Sequence, residues 1–226
     1  MQIFATADIH GNRKIVDMLP DVVRDEQPDM VLICGDIGGK INASSLRTLS
    51  AIQKRDATYL SGTLEKCGVP FRFILGNDDW FEYDHPCCCA APEKIAKAIQ
   101  LIPFEYVPIT PFKTNREANE NKIGYELEKI SMRTKLPTII IAHAPPLGAA
   151  DTLYNGASCG SEAIRKWILK NNPFIWLCGH IHESFGVAPV GNTVVFNCAC
   201  SHENDVLRGW MLDTDNQTYR SVIVQC

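Results

Sequence analysis

The sequence predicts an α/β fold built on a mainly parallel sheet, with antiparallel strands at the C-terminal end that extend it or form a second sheet packed on it. Three observations carry this. Five short apolar runs are near-continuous rather than alternating, the pattern of strands buried on both faces. Stretches with helical spacing separate several of them, and such alternation implies right-handed crossovers and a sheet covered on both sides. The tail changes character, with strand-like segments joined by a turn-rich stretch.

The five runs lie at residues 3–7, 30–34, 71–75, 138–142 and 174–178. Helices are expected over about 13–24, within 44–67, and over 161–171. In the last, Ser161 is a ready N-cap, and Ala163, Ile164, Trp167 and Ile168 form an apolar stripe. Strands are expected at 192–200, 209–213 and 218–224, the last two joined by Asp213-Thr214-Asp215-Asn216-Gln217. Residues 86–136 hold Pro92, Pro103, Pro108 and Pro111 and then a polar stretch, 114–122, that reads as a surface loop. This middle part is expected to form a small cap or insert within one domain spanning 1–226.

Composition bounds the function. A chain of 226 residues with 46% hydrophobic and 21% charged residues fills one core and is short for two. The net charge of −4 and the lack of a basic tract argue against extended nucleic acid, leaving a small nucleotide or a locally held strand end. The longest apolar stretches are too short to span a membrane, so no membrane partner is expected. The N-terminal MQIFATADIHG reaches Asp8 and His10 before a signal-peptide core forms, and a cytoplasmic location is expected. The 10 cysteines are then reduced thiols, several inside apolar runs. Cys87, Cys88 and Cys89 read as a loop segment rather than a metal or redox site. Nothing in the sequence specifies an oligomeric state.

The chemistry lies at the C-terminal end of each run. After the first comes Asp8-Ile9-His10, and after the second Gly35-Asp36. The third leads to Gly76-Asn77-Asp78-Asp79, the fourth to His143, the fifth to Gly179-His180-Ile181-His182. In a parallel sheet these positions share the carboxyl edge, where open α/β folds build their ligand sites. Singly, each motif is weak: Asp-x-His also caps turns, Gly-Asp is an everyday turn pair, and a lone histidine is usually a satisfied core residue. Gly-His-x-His is sharper. With 15 glycines and 6 histidines in 226 residues, chance supplies it in roughly 0.01 such chains. All five together, each after a strand, make one metal-competent site.

In this order the blocks resemble the calcineurin-like metallophosphoesterases, from Asp8 to His182. Within that family, 143–148, followed by Cys159-Gly160 and the helix into Gly-His-Ile-His-Glu, look like those of compact phosphodiesterase members. The resemblance implies a four-layer α/β/β/α sandwich and two divalent or transition metal ions. Asp8, His10 and His182 would hold one, and Asn77, His143 and His180 the other, with Asp36 bridging. Carboxylate and imidazole donors suit Mn, Fe or Zn. It further implies hydrolysis of phosphate esters, diesters above all, by a hydroxide held between the cations; the substrate is then a small phosphate ester or nucleotide-like molecule. A phosphomonoesterase, or a catalytically weak metal-binding scaffold of the same fold, is the alternative.

The catalytic candidates are Asp36, Asn77, Asp78 and His143. Many family members carry histidine where this chain has Asp78, and an aspartate ionised at neutral pH donates no proton to a leaving group. Asn12 is placed to contact phosphate or to cap the first helix, and His85 is a candidate substrate contact. Trp80, Phe81 and Tyr83 could wall a pocket or pack their loop, and Cys198, Cys200 and His202, at alternating positions, read as a strand followed by a turn beside the active centre rather than as a second soft-metal site.

Overall fold

The structure is a computed structural model that describes residues 1–39, 43–96, 99–130 and 136–225. In chain order its elements are β1 (Gln2–Thr6), α1 (Arg13–Glu26), β2 (Met30–Cys34), α2 (Leu46–Cys67), β3 (Phe71–Ile74), β4 (Glu93–Ala96), β5 (Ile99–Phe104), β6 (Val107–Pro108) and β7 (Glu117–Ala118). They continue with α3 (Glu120–Glu128), β8 (Thr138–Ala142), α4 (Glu162–Asn171), β9 (Ile175–Cys178), β10 (Gly186–Val190), β11 (Thr193–Asn197), β12 (Val206–Asp213) and β13 (Thr218–Gln225). Short 3-10 turns lie at His182–Ser184 and His202–Asn204.

The five apolar runs all form strands, shared between two sheets. β1, β2 and β3 are parallel neighbours in a 5-stranded sheet of order β13-β12-β1-β2-β3. β8 and β9 are parallel neighbours in a 6-stranded sheet of order β10-β11-β9-β8-β5-β4. The antiparallel tail is as expected for β12 and β13: β12 pairs antiparallel with β13 on one side and with β1 on the other. β11, however, runs parallel to β9.

Alternation within the runs explains why every position is apolar. Ile3 and Ala5, Leu32 and Cys34, Ile139 and Ile141, and Ile175 and Leu177 meet in the core between the sheets. The intervening Phe4, Val31 and Ile33 face a core with Ile15 and Leu19 of α1 and Leu60 and Leu64 of α2. Ile140, Ala142, Trp176 and Cys178 face a third core with Ile123 and Leu127 of α3 and Ile164 and Trp167 of α4. The order is helix pair, sheet, sheet, helix pair.

The helices start where local chemistry allows. Asn12 caps α1 by accepting from the N–H of Lys14 and Ile15, and Ser161 caps α4 by accepting from that of Ile164. Residues 86–136, within which 97–98 and 131–135 lie outside the described residues, contribute β4, β5 and α3 to the second sheet and its cover. Residues 105–118 form a loop with the short β6–β7 bridge, beside the strand ends. β5 escaped the sequence reading because of Pro103, yet the strand accommodates it. Gln100 N–H points to β8, so alternation turns position 103 the other way, where β4 pairs no further than Leu101.

Trp176 is fully buried and its indole N–H donates to the Ala144 carbonyl at 3.1 Å, just beyond His143. Trp176→Ala should lower unfolding stability in urea by about 3–5 kcal/mol. A loss below about 1 kcal/mol contradicts this account of the third core.

Candidate metal centre

Every exit is tied to its neighbour. Asp8 N–H donates to Gly35 O at 3.1 Å, His10 N–H to Asp36 O at 2.9 Å, and Gly179 N–H to His143 O at 3.0 Å. Across the sheets, Ala7 N–H donates to Cys198 O at 3.1 Å and His180 N–H to Asp8 Oδ2 at 3.0 Å, so the two sheets present one rim. Asp8, His10, Asp36 and His180 all have positive φ, at 57°, 48°, 52° and 68°. Non-glycine residues in this region carry strain that the surroundings must hold, and here four meet at one place.

The side chains converge on Asp36. Its Oδ2 lies 3.2 Å from His143 Nε2 and 3.6 Å from His10 Nε2, while its Oδ1 accepts from Asp78 N–H at 2.8 Å. Asp8 accepts from His180 N–H at 3.0 Å, and its Oδ1 lies 3.1 Å from His182 Nε2. His182 Nε2 is 3.3 Å from His10 Nε2, and Asn77 Oδ1 is 3.0 Å from His143 Nε2. Seven residues are thus brought together: Asp8, His10, Asp36, Asn77, His143, His180 and His182. The motif glycines leave room for them. A Cβ on Gly76 would stand 2.2 Å from Asp36 Oδ1, and one on Gly179 would stand 2.1 Å from Asp8 Oδ2.

Residues other than these seven aim the donors, Asp79 of the third motif among them. Asn77 Nδ2 donates to Thr114 Oγ1 at 2.8 Å, and Thr114 Oγ1 donates to Glu117 at 2.5 Å. That chain fixes the amide with its oxygen toward His143. Asp79, fully buried, accepts from the N–H groups of Gly38 and Gly76 at 2.8 Å each and of Ile37 at 3.2 Å, binding two exit loops together. Arg116 donates to the carbonyls of Gly76 and Asp79 at 3.2 and 2.6 Å. Arg208 donates to the carbonyls of His182 and Ala199 at 2.8 and 2.9 Å. A polar side chain inside a proline-rich or strand-like stretch gave no signal of these roles.

The calcineurin-like phosphoesterase family model matches residues 1–184 of this chain. The chain belongs to that family. An uncharacterized protein of Methanocaldococcus jannaschii is 30% identical to it over 209 residues, 87% of each chain. Among solved structures, TT1561 of Thermus thermophilus superposes with a TM-score of 0.67 at 13% identity over 98% of this chain and 97% of its own. An archaeal phosphodiesterase does so at 0.53 and 14%, over 99% and 100%. At these identities the structures share the fold.

Not every candidate of this calcineurin-like phosphoesterase reaches the centre. Asn12 spends its oxygen on the cap of α1, and its Nδ2 donates to His202 O at 2.7 Å and Asp205 Oδ1 at 2.8 Å; it does not line the cleft. His85 lies elsewhere, stacked on Tyr83 with ring centres 5.4 Å apart and its Nε2 3.4 Å from Glu65. Phe81 is core, and Tyr83 donates to Thr58. Cys198 and Cys200 enter different cores, so they form no cluster with His202, which instead lies against His10. Cys87 to Cys89 run along β3, where Phe73 N–H donates to Cys87 O and Cys89 N–H to Phe73 O. Burial pushes the Cys88 and Cys89 thiols up to about 11 and 12, which disfavours their thiolates.

The donors suit cations. His143 Nδ1 donates to Cys34 O at 2.7 Å, so its Nε2 faces two acceptors, Asn77 Oδ1 and Asp36 Oδ2. A neutral ring cannot satisfy them; that position calls for a second proton or a metal. Burial would lower the His143 pKa, but Asp36 and Asp8 raise it to about 10. Burial opposes ionisation of Asp8 and Asp36, yet the histidines hold both below the usual carboxylate range. Burial drives His10 down to about 3 and His180 to about 4, keeping lone pairs available. His10 Nδ1 is buried without a hydrogen-bond partner.

These directions set a pH dependence for chelator-treated protein. With His10 near 3 and His180 near 4 against the ordinary 6.5, the unfolded chain binds two more protons over the acid side, and stability falls as pH drops below 6.5. Asp79, raised to about 7 by burial and by Asp36, opposes this by one proton. The His143 contribution is full below 6.5 and is lost as pH rises toward about 10. Urea unfolding should show a maximum near the ordinary histidine value, falling by roughly 1.4 kcal/mol per pH unit on either side. A flat profile from about pH 5 to 9 contradicts the charge assignment.

Proposed function

We propose that this chain is a metal-dependent phosphodiesterase working with a pair of divalent cations across Asp36. The observation that carries this is the convergence of two carboxylates, four imidazoles and one oriented amide oxygen on a single carboxyl rim. Asp8, His10 and His182 would hold one cation, and Asn77, His143 and His180 the other. Mn, Fe and Zn accept this donor set. When bound, such ions polarise a phosphoryl oxygen and make a strong nucleophile of water at neutral pH.

The chain itself sets substrate choice. A cleft of about 470 Å³ opens in front of Asp36, Asn77 and His180, within the range of small-molecule sites. Ile109, Phe112 and Leu153 give it an apolar side, with Phe112 80% exposed. Asp78 and Glu183 line it as well, and no lysine or arginine does so among the described residues. A monoester dianion gains no cationic side chain here and meets two carboxylates, whereas a diester carries less charge and brings a second substituent for the apolar side. Asp78 stays in place through its backbone: its N–H holds Asp36, and its carbonyl accepts from Gln53 Nε2 at 2.7 Å. Replacing the imidazole that other family members carry, it supplies no imidazolium proton, so the leaving group must carry its own charge.

With a matched aryl diester and aryl monoester in the presence of Mn(II), kcat/KM should favour the diester, and nitrophenyl leaving groups should outpace alkoxides. Asp36→Asn should cost at least about a hundredfold, the scale of losing a principal charge-stabilising group. Monoester preference under several metals overturns the diester reading, and undiminished turnover by the chelated enzyme overturns the metal role.

A further inference from the structure

We propose that His202, which belongs to none of the strand-end motifs, is a further ligand to the cation held by Asp8, His10 and His182, so that this site presents three imidazoles. The inference rests on the cation-pair reading above and deepens it.

The fold delivers His202 to that place. Beyond β11 the chain runs parallel to the exit of β1, with Ala7 bridged to Ala199. Ala7 N–H donates to Cys198 O at 3.1 Å, and Cys200 N–H donates to Ala7 O at 2.9 Å. The segment after Cys200 therefore emerges beside Asp8 and His10. The 3-10 turn His202–Asn204 begins at once. It sets the His202 ring centre 4.3 Å from that of His10 and 4.9 Å from that of His182. One ring nitrogen from each of the three lies within 4.8 Å of the others, a spacing that a shared ion can close.

The backbone around His202 is restrained from three directions. Asn12 donates to its carbonyl at 2.7 Å and to Asp205 Oδ1 at 2.8 Å. Asp205 closes the turn with φ 55°. Arg208 holds Ala199 O and His182 O together, fixing the His182 loop against the segment that carries His202. Asn12 is thus a positioning residue for His202, acting on the centre from behind. Shape packing alone gives no reason to set two further imidazoles against the buried ring of His10, whose Nδ1 has no hydrogen-bond partner. The chemical consequence is an unequal pair. The site of Asp8 becomes nitrogen-rich and suits Zn or Fe, while the site of Asn77 keeps an amide oxygen and tolerates harder ions.

The test uses the full chain, stripped with chelator and loaded with Co(II), comparing wild type with His202→Ala and His202→Asn. Elemental analysis gives metals per chain, competition with a chromogenic chelator gives affinity, and visible d–d bands with paramagnetically shifted proton resonances report the ligands. Wild type should bind two Co(II) and show shifted rings for His10, His143, His180, His182 and His202. Both variants should weaken one site by at least about tenfold, the lower end of what even an outer-shell partner is worth, and lose one shifted ring. Wild-type affinity and spectra in both variants overturn this inference while leaving the cation pair standing. A wild type that binds no Co(II) overturns both. Should neither variant fold, the wild-type spectrum decides alone: five shifted rings support the assignment, and four overturn it.

Discussion

Asp8 and Asp36 are buried side by side, 0% and 2% exposed, and a pair of carboxylates taken out of water must have its charge balanced nearby. Much of what surrounds them stems from that requirement. Imidazoles of His10, His143 and His182 stand within 4 Å of their oxygens. Backbone N–H groups of His180 and Asp78 are turned onto them. Glycines 76 and 179 are needed because any side chain there would meet a carboxylate oxygen. The left-handed backbone at Asp8, His10, Asp36 and His180 is the local cost of that inward aim.

Two packed sheets suit this demand better than one. The core between them locks β1, β2 and β3 against β8 and β9, so exits from different sheets keep fixed spacing. The outer cores clamp each sheet to its helix pair. Donors then rest on rigid strand ends, and small adjustments fall to polar braces such as Asp79 and Thr114. A preorganised donor set of this kind spends little on rearrangement when a ligand arrives. The apolar side of the cleft, by contrast, comes from Ile109 and Phe112 in the loop between β6 and β7 and from Leu153, outside the strands.

The strands and their polar exits were readable because burial on both faces leaves a continuous apolar run and a sharp polar end. All seven donor positions lie at those ends. The runs by themselves did not give the number of sheets, since the same run serves in either sheet and pairing partners are set by long-range packing; two sheets came from the family resemblance. β4 and β5 were hidden by Pro103 and by the short, mixed run of Glu93 to Ala96, and α3 by its polar first turn. Asn12 and His85 looked like substrate contacts because they sit close to motifs in sequence. In space Asn12 points to the cap and to His202, and His85 stacks on Tyr83. Cys198, Cys200 and His202 are the end of a strand and a turn beside the centre rather than a soft-metal cluster, because the chain leaves its strand after Asn197 and turns at His202–Asn204.

The central claim is that Asp36 lies between two cations. Anomalous diffraction from crystals of the protein soaked in Mn(II), recorded near the manganese absorption edge, tests it most directly. Two peaks are expected, one beside Asp8 and His182 and one beside Asn77 and His143, both within coordinating distance of Asp36. A single peak, or peaks away from Asp36 in fully soaked crystals, would contradict it.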